Sequence, residues 1–426
     1  MEILVPSNYK EWTGELQRCL LSVGAQGFCV ADIQLGISPT ECFVLRCGGQ
    51  SQRTLRLTSD IVGCGTGLSQ VDYLISYPSF SSPSFSEAQK HVTSTSQQVY
   101  IGVGDEMGLS TYDVWMSEGV VKHSTRTEAS ACSLTIIQPK QHFCWLLSLL
   151  SVEFSIDDAL ILSNALCYVS RETWPKSTKD FPLVTASDTK ILRESMNIYN
   201  SFPRVDKNRL TLYPIVDSIE QLQRLLQLGV TTIQFRIKNL PVELVERQVE
   251  DAIGLGKRFN AQLFINDYWK LAIKYSAFGV HLGQEDLIDS NLEQILESGL
   301  ALGVSTHSYF ELLSALDFNP SYIAVGPIFF TQTKQVLARP QGIAKLRAFN
   351  HLVAEYSNSN IATVSIGGIN LANVSSVWAT GVDSVAVIGA LSECSDLQGT
   401  VQSFNRALES QRGRDIKCDK EDHIAL

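Results

Sequence analysis

Residues 210–235 read LTLYPIVDSIEQLQRLLQLGVTTIQF, and the pattern of this stretch decides the fold. Residues 210–216 are mostly apolar, which predicts a buried strand. Ser218 then begins a helix as its N-cap, and Gly229 ends that helix. The apolar face of the helix has the i, i+3, i+4 spacing and consists of Leu222, Leu225 and Leu226. Residues 230–235 form the next predicted strand, so the stretch is a strand–helix–strand unit.

The same unit recurs along the chain that follows. Residues 291–298 form a predicted helix that ends at Gly299, and residues 373–380 form another that ends at Gly381. The predicted strands are centred near Tyr213, Ile233, Phe264, Val280, Leu302, Ile323, Val364 and Val385. Repeats of this kind within about 190 residues predict a compact (β/α)₈ TIM barrel. An open doubly wound sheet is the structural alternative.

The first half of the chain lacks this periodicity and predicts a separate α/β domain. Ser155 is a predicted helix start, whereas the Ser-rich residues 79–96 predict a long loop. Short apolar segments predict strands at residues 27–30, 42–45, 71–75 and 99–102. The predicted organisation is an N-terminal α/β domain at 1–195, a linker at 196–208, a barrel at 209–408 and a polar, disordered tail at 409–426.

The net charge and the cysteine content limit the possible partners and the cellular compartment. Lys and Arg number 34 against 44 Asp and Glu, so the formal net charge is −10. This balance argues against nucleic acid or an anionic membrane surface as the main partner. We see no secretory signal and no apolar run of the roughly 18 residues that a membrane helix needs. The ten cysteines show no metal-ligand spacing, which favours free thiols in a reducing cytoplasm.

Charged side chains follow the predicted second, third and fourth barrel strands. Gln234, Arg236 and Lys238 alternate at the end of the second strand, which predicts that they project to one side. Asp267 and Asp286 follow the third and fourth strands. Two carboxylates beside two cations at a barrel mouth predict a diphosphate held through Mg²⁺. The alternative is that both Asp side chains cap the following helices.

A second set of polar groups follows the sixth, seventh and eighth strands. Residues 326–334 read GPIFFTQTK and bring two hydroxyls and a cation, Thr331, Thr333 and Lys334, onto one loop. The seventh and eighth strands end in glycine-containing turns, at Gly368 and at Ile388-Gly389. Backbone amides at these positions are the usual phosphate site of a TIM barrel. Two anion sites predict two phosphorylated substrates, or one that is doubly phosphorylated.

The motifs at these strand ends resemble those of the thiamine-phosphate synthase family over residues 210–392. The matching motifs, in chain order, are QFRIK, IND, HLGQED, GVSTH, VGPIFFTQTK, SIGGI and VAVIG. The resemblance implies a TIM-barrel transferase that joins 4-amino-2-methyl-5-(diphosphooxymethyl)pyrimidine to hydroxyethylthiazole phosphate, or its carboxylated form, and releases diphosphate. One departure is Ile237, where the family often has Glu; its side chain is expected to point away from the mouth.

The resemblance also implies a role for each matching residue. The pyrimidine diphosphate is expected to contact Gln234, Arg236, Lys238, Asn266, Ser305 and Lys334. The thiazole phosphate is expected to contact Thr331, Thr333, Gly368, Ile388 and Gly389. Asp267 and Asp286 are the implied Mg²⁺ ligands, and Arg236, Lys238 and Lys334 are the implied catalytic cations. This chemistry needs no general base, and we interpret His281 and His307 as packing or hydrogen-bonding residues.

The end of the N-terminal domain faintly resembles the C-terminal part of hydroxymethylpyrimidine phosphate kinases. Residues 155–160 match a helix start of that family, but residues 128–132, EASAC, lack the glycines of its anion loop. We therefore expect a degenerate, structural or dimerising domain rather than an active kinase, which leaves a homo-oligomer open.

Two other functions remain open for the barrel. One is a thiazole tautomerase-like paralogue, which would not need the diphosphate and Mg²⁺ residues. The other is a non-catalytic sensor or scaffold that binds thiamine phosphate. The combination of Gln234, Arg236, Lys238, Asp267 and Asp286 favours the transferase.

Overall fold

The computed structural model describes most of the chain in two compact units. The described residues are 1–47, 53–62, 71–77, 83–107, 109–127, 137–170, 173–186, 201–238, 240–331, 340–357 and 360–421. One unit comprises Met1–Lys190 and Ser308–Ser314, and the other comprises Ile191–His307 and Ala315–Leu426. Within the described ranges, no helix is both long and apolar enough to cross a bilayer.

The first unit is built on a mixed sheet with strand order β2-β1-β3-β4-β5-β6-β7-β8-β9. Its strands are β1 Glu2–Pro6, β2 Gln34–Ser38, β3 Phe43–Cys47, β4 Arg53–Ser59, β5 Tyr73–Ser76, β6 Gln98–Gly104, β7 Ser110–Ser117, β8 Val120–Thr127 and β9 Leu183–Ala186. The helices of this part are α1 Thr13–Ala25, α2 Phe85–Ser94, α3 Pro139–Ser151 and α4 Ile156–Tyr168. β1 pairs with β2 in parallel, and β5 pairs in parallel with both β4 and β6.

Alternation along β7 places helices on both faces of this sheet. Val114 packs in a buried cluster with Ala88 and Val92 of α2. The neighbouring Trp115 points to the other face, where its indole Nε1 donates to Asp157 of α4 at 2.7 Å. Because successive side chains of a strand face opposite sides, the sheet is the middle of three layers.

Two sequence-based expectations for this unit are wrong, whereas the strands predicted at 42–45, 71–75 and 99–102 are confirmed as β3, β5 and β6, and so is the helix start at Ser155. Residues 79–96 contain α2 rather than a continuous loop, because Ser84 and Glu87 form a capping box that begins a helix. No strand forms at residues 27–30, which are turn and irregular backbone. Ser155 does begin α4, since its side chain accepts from the backbone N–H of Asp158 at 3.2 Å.

The second unit contains a closed parallel barrel, which confirms the TIM-barrel prediction and excludes the open sheet. Its strands are β10 Leu212–Val216, β11 Thr232–Phe235, β12 Gln262–Asn266, β13 Gly279–Leu282, β14 Ala301–Thr306, β15 Tyr322–Val325, β16 Ala362–Ile366 and β17 Ser384–Val387. The helices in this region of the chain are α5 Ile219–Gln227, α6 Val242–Arg258, α7 Trp269–Lys274, α8 Gln284–Asp289, α9 Leu292–Glu297, α10 Tyr309–Leu316, α11 Gly342–Ser357, α12 Val374–Trp378, α13 Gly389–Ser392 and α14 Leu397–Glu421. Most of α10 belongs to the first compact unit.

Local signals in the barrel act as the sequence predicts. The Ser218 side chain accepts from the backbone N–H of Gln221 at 3.2 Å and caps α5. Gly229 follows that helix with φ +85°, a conformation that favours glycine. At the other end of the barrel sequence, α14 continues as a helix to Glu421, into the residues for which the sequence predicts a polar tail.

Residues 202–210 pack across the amino ends of the barrel strands. Val205 and Leu210 are buried in the barrel core, and Arg204 Nη1 donates to the Pro320 carbonyl at 2.8 Å. Lys207 Nζ lies 3.1 Å from Asp383 Oδ2, an ion pair between this segment and the turn before β17. An isolated barrel therefore needs these residues, which stabilise its base.

Candidate active site

The carboxyl ends of β11, β12 and β13 bring two carboxylates together. Burial and the adjacent Asp286 carboxylate raise the pKa of Asp267 to about 6. The positive charges of Lys238 and Arg236 act on the Asp267 carboxyl in the opposite direction. The four charged groups that the sequence singled out at these strands are thus close together.

Local backbone geometry positions each of the two carboxylates. Asp267 follows β12 with φ +64°, in the left-handed region, and its N–H donates to the His281 carbonyl of β13 at 3.0 Å. Asp286 lies in the first turn of α8, where its Oδ2 accepts from the Gly283 N–H at 3.1 Å. Asp286 is therefore a helix-capping residue and also a neighbour of Asp267. Helix α7, which follows Asp267, has no side-chain cap at its N-cap Tyr268.

The end of β11 separates its side chains as alternation requires. Gln234 is buried inside the barrel, Arg236 is partly exposed, and Lys238 is exposed. Ile237, the residue that departs from the family motif, is 2% exposed, so its side chain is buried rather than open to solvent. The backbone N–H of Arg236 donates to the Val216 carbonyl at 2.8 Å, which extends the strand pairing to this residue.

The next two strands add polar groups at the same edge. Asn266 is buried at the end of β12, beside His281 in the sheet register. Ser305, near the end of β14, lies with its Oγ 2.8 Å from His281 Nε2, and its carbonyl accepts from Gln284 Nε2 at 2.6 Å. Ser305 is therefore held through both its side chain and its backbone. The hydrogen bonds of His281 match its interpretation as a hydrogen-bonding residue.

The start of the GPIFFTQTK loop packs directly on the turn after β16. The N–H groups of Ile328 and Phe329 donate to the carbonyls of Ile366 and Gly367 at 2.9 and 3.0 Å. Gly368 has φ +66°, and a Cβ there would lie 2.5 Å from the Phe330 carbonyl oxygen. Glycine at this position is thus required by close packing as well as by φ.

The remaining predicted residues divide between described and undescribed positions. Thr331 is described and partly buried, and Ile388 is the N-cap of the short helix α13, which begins at Gly389. Backbone N–H groups in such a first turn have no partner within their helix and can meet an anion. Thr333 and Lys334 lie outside the described residues, as do residues 128–132 of the first unit.

Sequence reasoning missed two tyrosines that support the site from within the barrel. Tyr213 of β10 and Tyr322 of β15 are buried, with their hydroxyl oxygens 2.8 Å apart. Tyr322 OH also lies 2.7 Å from His281 Nδ1, so the tyrosines connect to Ser305 through that histidine. The sequence feature that could have identified the two tyrosines is their position in the strands, at alternating residues that face the barrel interior.

The paired carboxylates suit a hard divalent cation. Within the described residues, no group of three or more His, Cys, Asp or Glu side chains is arranged around a common point. Mg²⁺ is usually bound by one or two carboxylates together with waters and substrate phosphates, so a pair of carboxylates is an adequate protein contribution. A closed parallel barrel with charged groups at the carboxyl ends of its strands is typical of TIM-barrel enzymes, whose active sites lie at that face.

Comparison with known proteins identifies the family. The profile described as thiamine monophosphate synthase matches residues 212–391. The thiamine-phosphate synthase of Photorhabdus laumondii is 52% identical over 197 residues, which are 46% of this chain and 89% of that protein. That of Salmonella typhimurium is 54% identical over 188 residues, 44% of this chain and 87% of that protein. Among solved structures, the thiamine phosphate pyrophosphorylase from Pyrococcus furiosus aligns with a TM-score of 0.41 and 32% identity, over 48% of this chain and 98% of that chain.

The chain therefore belongs to the thiamine-phosphate synthase family and is a transferase of thiamine biosynthesis. The family profile begins at residue 212, within β10, so the N-terminal sheet lies outside it.

Proposed function

We propose that the barrel catalyses attack of hydroxyethylthiazole phosphate, or its carboxylated form, on the pyrimidine diphosphate, giving thiamine phosphate and diphosphate, with CO2 as a further product when the carboxylated form reacts. The observation that carries the proposal is electrostatic: the Asp286 carboxylate raises the pKa of Asp267, and the charges of Lys238 and Arg236 lower it, so the four groups act on one another. A tautomerase that handles a single phosphorylated ring has no use for this group. Two like charges buried beside each other are unfavourable unless a cation binds between them. We expect such a cation to be bound in the working enzyme.

The two carboxylates are proposed to hold Mg²⁺. Asp267 and Asp286 would supply one oxygen ligand each, with water and diphosphate oxygens completing the shell. When bound, the ion supplies Lewis-acid neutralisation of the charge that grows on the leaving diphosphate. The raised pKa of Asp267 supports this assignment, because a proton and a divalent cation compete for the same carboxylate pair.

Three cations are proposed to act on the same leaving group. Arg236, Lys238 and Lys334 would bind the diphosphate and stabilise the negative charge that develops as the methylene C–O bond breaks. The bonding electron pair departs with the diphosphate, and the electron-rich aminopyrimidine stabilises the positive methylene. The thiazole nitrogen then forms the new C–N bond with its lone pair. No side chain needs to take up a proton, which fits a site built of cations, amides and hydroxyls.

The remaining residues are proposed to hold the two rings in line. Gln234, Asn266 and Ser305 would contact the pyrimidine diphosphate from β11, β12 and β14. The thiazole phosphate would be bound opposite them by the following hydroxyls and backbone amides: Thr331, Thr333, Gly368, Ile388 and Gly389. The packing of Gly368 against Phe330 supports a shared wall for this second site. Alignment of two bound reactants accounts for much of the rate of such a substitution.

The N-terminal unit is proposed to have no kinase activity of its own. The support is sequence-based, because residues 128–132 lack glycine. A cytoplasmic enzyme is proposed as well, consistent with the buried free thiols of Cys19 and Cys144. Incubation with ATP and hydroxymethylpyrimidine phosphate would refute the first of these proposals if diphosphorylated pyrimidine formed.

The central experiment measures diphosphate release with both substrates, with and without Mg²⁺. The 426-residue chain is expected to release diphosphate only when both substrates and the metal are present. Asp267→Ala and Lys334→Ala should each lower kcat by at least about 100-fold. Lys270→Ala is the matched control, because this exposed residue lies on α7, just after Asp267, and outside the proposed site. Tight binding of thiamine phosphate without any turnover would instead identify a sensor.

A further inference from the structure

The turn after β16 has two consecutive backbone carbonyls that are each held by a hydrogen bond. The Gly367 carbonyl accepts from the Phe329 N–H at 3.0 Å. The next carbonyl, that of Gly368, accepts from Asn373 Nδ2 at 2.9 Å. Both glycines have positive φ, +102° and +66°, and both are partly exposed. The turn thus has a backbone conformation that favours glycine and that neighbouring groups hold in place.

The side-chain amide of Asn373 bridges two peptide groups of this turn. Its Nδ2 donates to the Gly368 carbonyl, and its Oδ1 accepts from the Asn370 N–H at 2.8 Å. A backbone carbonyl can only accept a hydrogen bond, and a backbone N–H can only donate one. The two contacts therefore fix which end of the Asn373 amide is nitrogen and which is oxygen.

The helix that follows does not account for this use of the side chain. Asn373 is the N-cap of α12. An N-cap side chain usually accepts from the N–H of the second or third residue of its helix, and Asn373 makes no such bond. Its Oδ1 is engaged with the preceding turn instead. The side chain therefore stabilises the turn rather than the start of the helix.

The held carbonyls determine where the next two N–H groups point. The peptide bonds of this turn are trans, and in a planar trans peptide the C=O and the N–H point in opposite directions. Because the Gly368 carbonyl points to Asn373, the Ile369 N–H points away from that side chain. In the same way, the Gly368 N–H points away from Phe329. Within the part of the chain that the structure describes, neither N–H donates to a protein acceptor.

We propose that Asn373 is a positioning residue of the transferase. It orients the peptide between Gly368 and Ile369, so that the Ile369 N–H donates, beside that of Gly368, to the phosphate of the thiazole substrate. Two neighbouring backbone donors suit a phosphate, which offers several acceptor oxygens. The proposal rests on the function proposed above, because it needs the thiazole phosphate to bind at this turn. Asn373 itself touches no substrate in this arrangement.

The first test measures binding by calorimetry and needs no turnover. The 426-residue chain is titrated with hydroxyethylthiazole phosphate in the presence of Mg²⁺ and diphosphate, and separately with the pyrimidine diphosphate and Mg²⁺. Asn373→Ala should raise the Kd of the thiazole phosphate about tenfold, because one oriented donor is lost. The Kd of the pyrimidine diphosphate should change less than about twofold. An unchanged Kd of the thiazole phosphate overturns the proposal, and so does an equal loss for both ligands.

Asn291→Ala is the matched control for a purely structural effect. Asn291 is the N-cap of α9, and its Oδ1 accepts from the Gln294 N–H at 2.9 Å. This residue is exposed and lies outside the proposed site. The two alanine variants should show a similar loss of stability in urea unfolding, whereas Asn291→Ala should keep the wild-type Kd of both ligands. If it weakens thiazole phosphate binding as much as Asn373→Ala does, lost stability explains the effect and the proposal fails.

Asn373→Asp separates the donor of the side chain from its acceptor. Aspartate keeps an oxygen for the Asn370 N–H but cannot donate to the Gly368 carbonyl when it is ionised. We therefore expect both Asn373→Asp and Asn373→Ala to weaken thiazole phosphate binding. Weaker binding in Asn373→Asp alone would identify repulsion between the new charge and the phosphate, and it would overturn the proposal.

Turnover gives a second readout that a merely structural role would not move. In Asn373→Ala, KM for the thiazole phosphate should rise about tenfold while kcat stays within about twofold, as expected when ground state and transition state lose the same contact. A fall in kcat with unchanged KM contradicts the proposal.

The two measurements together separate this inference from the proposed function. If the unmodified chain binds the thiazole phosphate but releases no diphosphate, the proposed function fails, and the binding comparison still decides the role of Asn373. If the unmodified chain releases diphosphate and Asn373→Ala binds the thiazole phosphate equally well, the positioning role alone fails. If the unmodified chain binds no thiazole phosphate, both fail.

Discussion

Replacing Asp286 by Asn should stabilise the protein at pH 8 while it removes activity. Burial and Asp286 raise the pKa of Asp267 from 3.8 to about 6. At about 1.36 kcal/mol per unit, the charged form of Asp267 costs the folded state at most about 3 kcal/mol. Burial is the larger cause of the raised pKa, and it remains in the variant. Solvent also screens the repulsion between two partly exposed carboxylates. Removal of the Asp286 charge should therefore raise the free energy of unfolding by only about 1 kcal/mol.

The pH dependence has a definite sign. A carboxyl whose pKa is raised in the folded state contributes stability that is present below pH 3.8 and lost as pH rises through about 6. The wild type should therefore lose this contribution between about pH 4 and pH 7, and Asp286→Asn should lose less of it. Asn can still accept from the Gly283 N–H, so the cap of α8 is retained. The stability advantage of the variant should grow from pH 4 to pH 8.

Urea unfolding at several pH values, without divalent cations, measures this difference. Asp289→Asn is the control, since it removes the same charge from an exposed position at the end of α8 and should show no comparable pH trend. Mg²⁺ at a concentration 100 times its Kd should stabilise the wild type by about 2.7 kcal/mol. The same concentration should stabilise the variant much less, because the variant lacks one of the two proposed carboxylate ligands. A variant that is less stable than the wild type at pH 8 would refute the conclusion that the Asp267 and Asp286 carboxylates repel each other in the folded protein.

Three further predictions test other parts of the chain. Arg236→Ala should lower kcat about 100-fold and change the free energy of unfolding by less than about 0.5 kcal/mol; a variant that fails to fold would identify a structural ion pair instead. Gly368→Ala should lower the free energy of urea unfolding by more than about 2 kcal/mol. Gly381→Ala is the control and should lower it by about 1 kcal/mol, because Gly381 has φ +85° but open space where its Cβ would lie. Ser155→Ala should lower the free energy of unfolding by about 1 kcal/mol, because the N-cap of α4 is lost. Diphosphate release should stay unchanged, and a fall in kcat would show that the site depends on this helix.

The barrel was predictable because its signals are local. Each strand is a short apolar run, and each helix carries its own apolar face and end signals, as Ser218 and Gly229 show for α5. Parallel strands of a barrel end at one edge, so residues that follow successive strands were expected to meet there. The proximity of Asp267, Asp286, Arg236 and Lys238 follows from that rule.

The N-terminal sheet was less predictable because its local signals are weak or conflicting. Helix α2 lies in a Ser-rich polar tract, and its capping box at Ser84 and Glu87 is the feature that marks its start. Its apolar side is narrow, with Ala88 and Val92 buried against the sheet. Strands such as β3 and β4 are neighbours through antiparallel pairing that composition does not specify.

The amino-acid sequence by itself determined the repeating strand–helix order of the barrel, the chemistry available at each strand end and the family motifs. Tertiary structure decided which of those groups touch. Tyr213 and Tyr322 are 109 positions apart, and their hydroxyls meet because the barrel closes and its register turns both side chains inward. The same closure brings His281 between Tyr322 and Ser305. Contacts of this kind depend on closure, twist and register together, and no single segment of the chain carries that information.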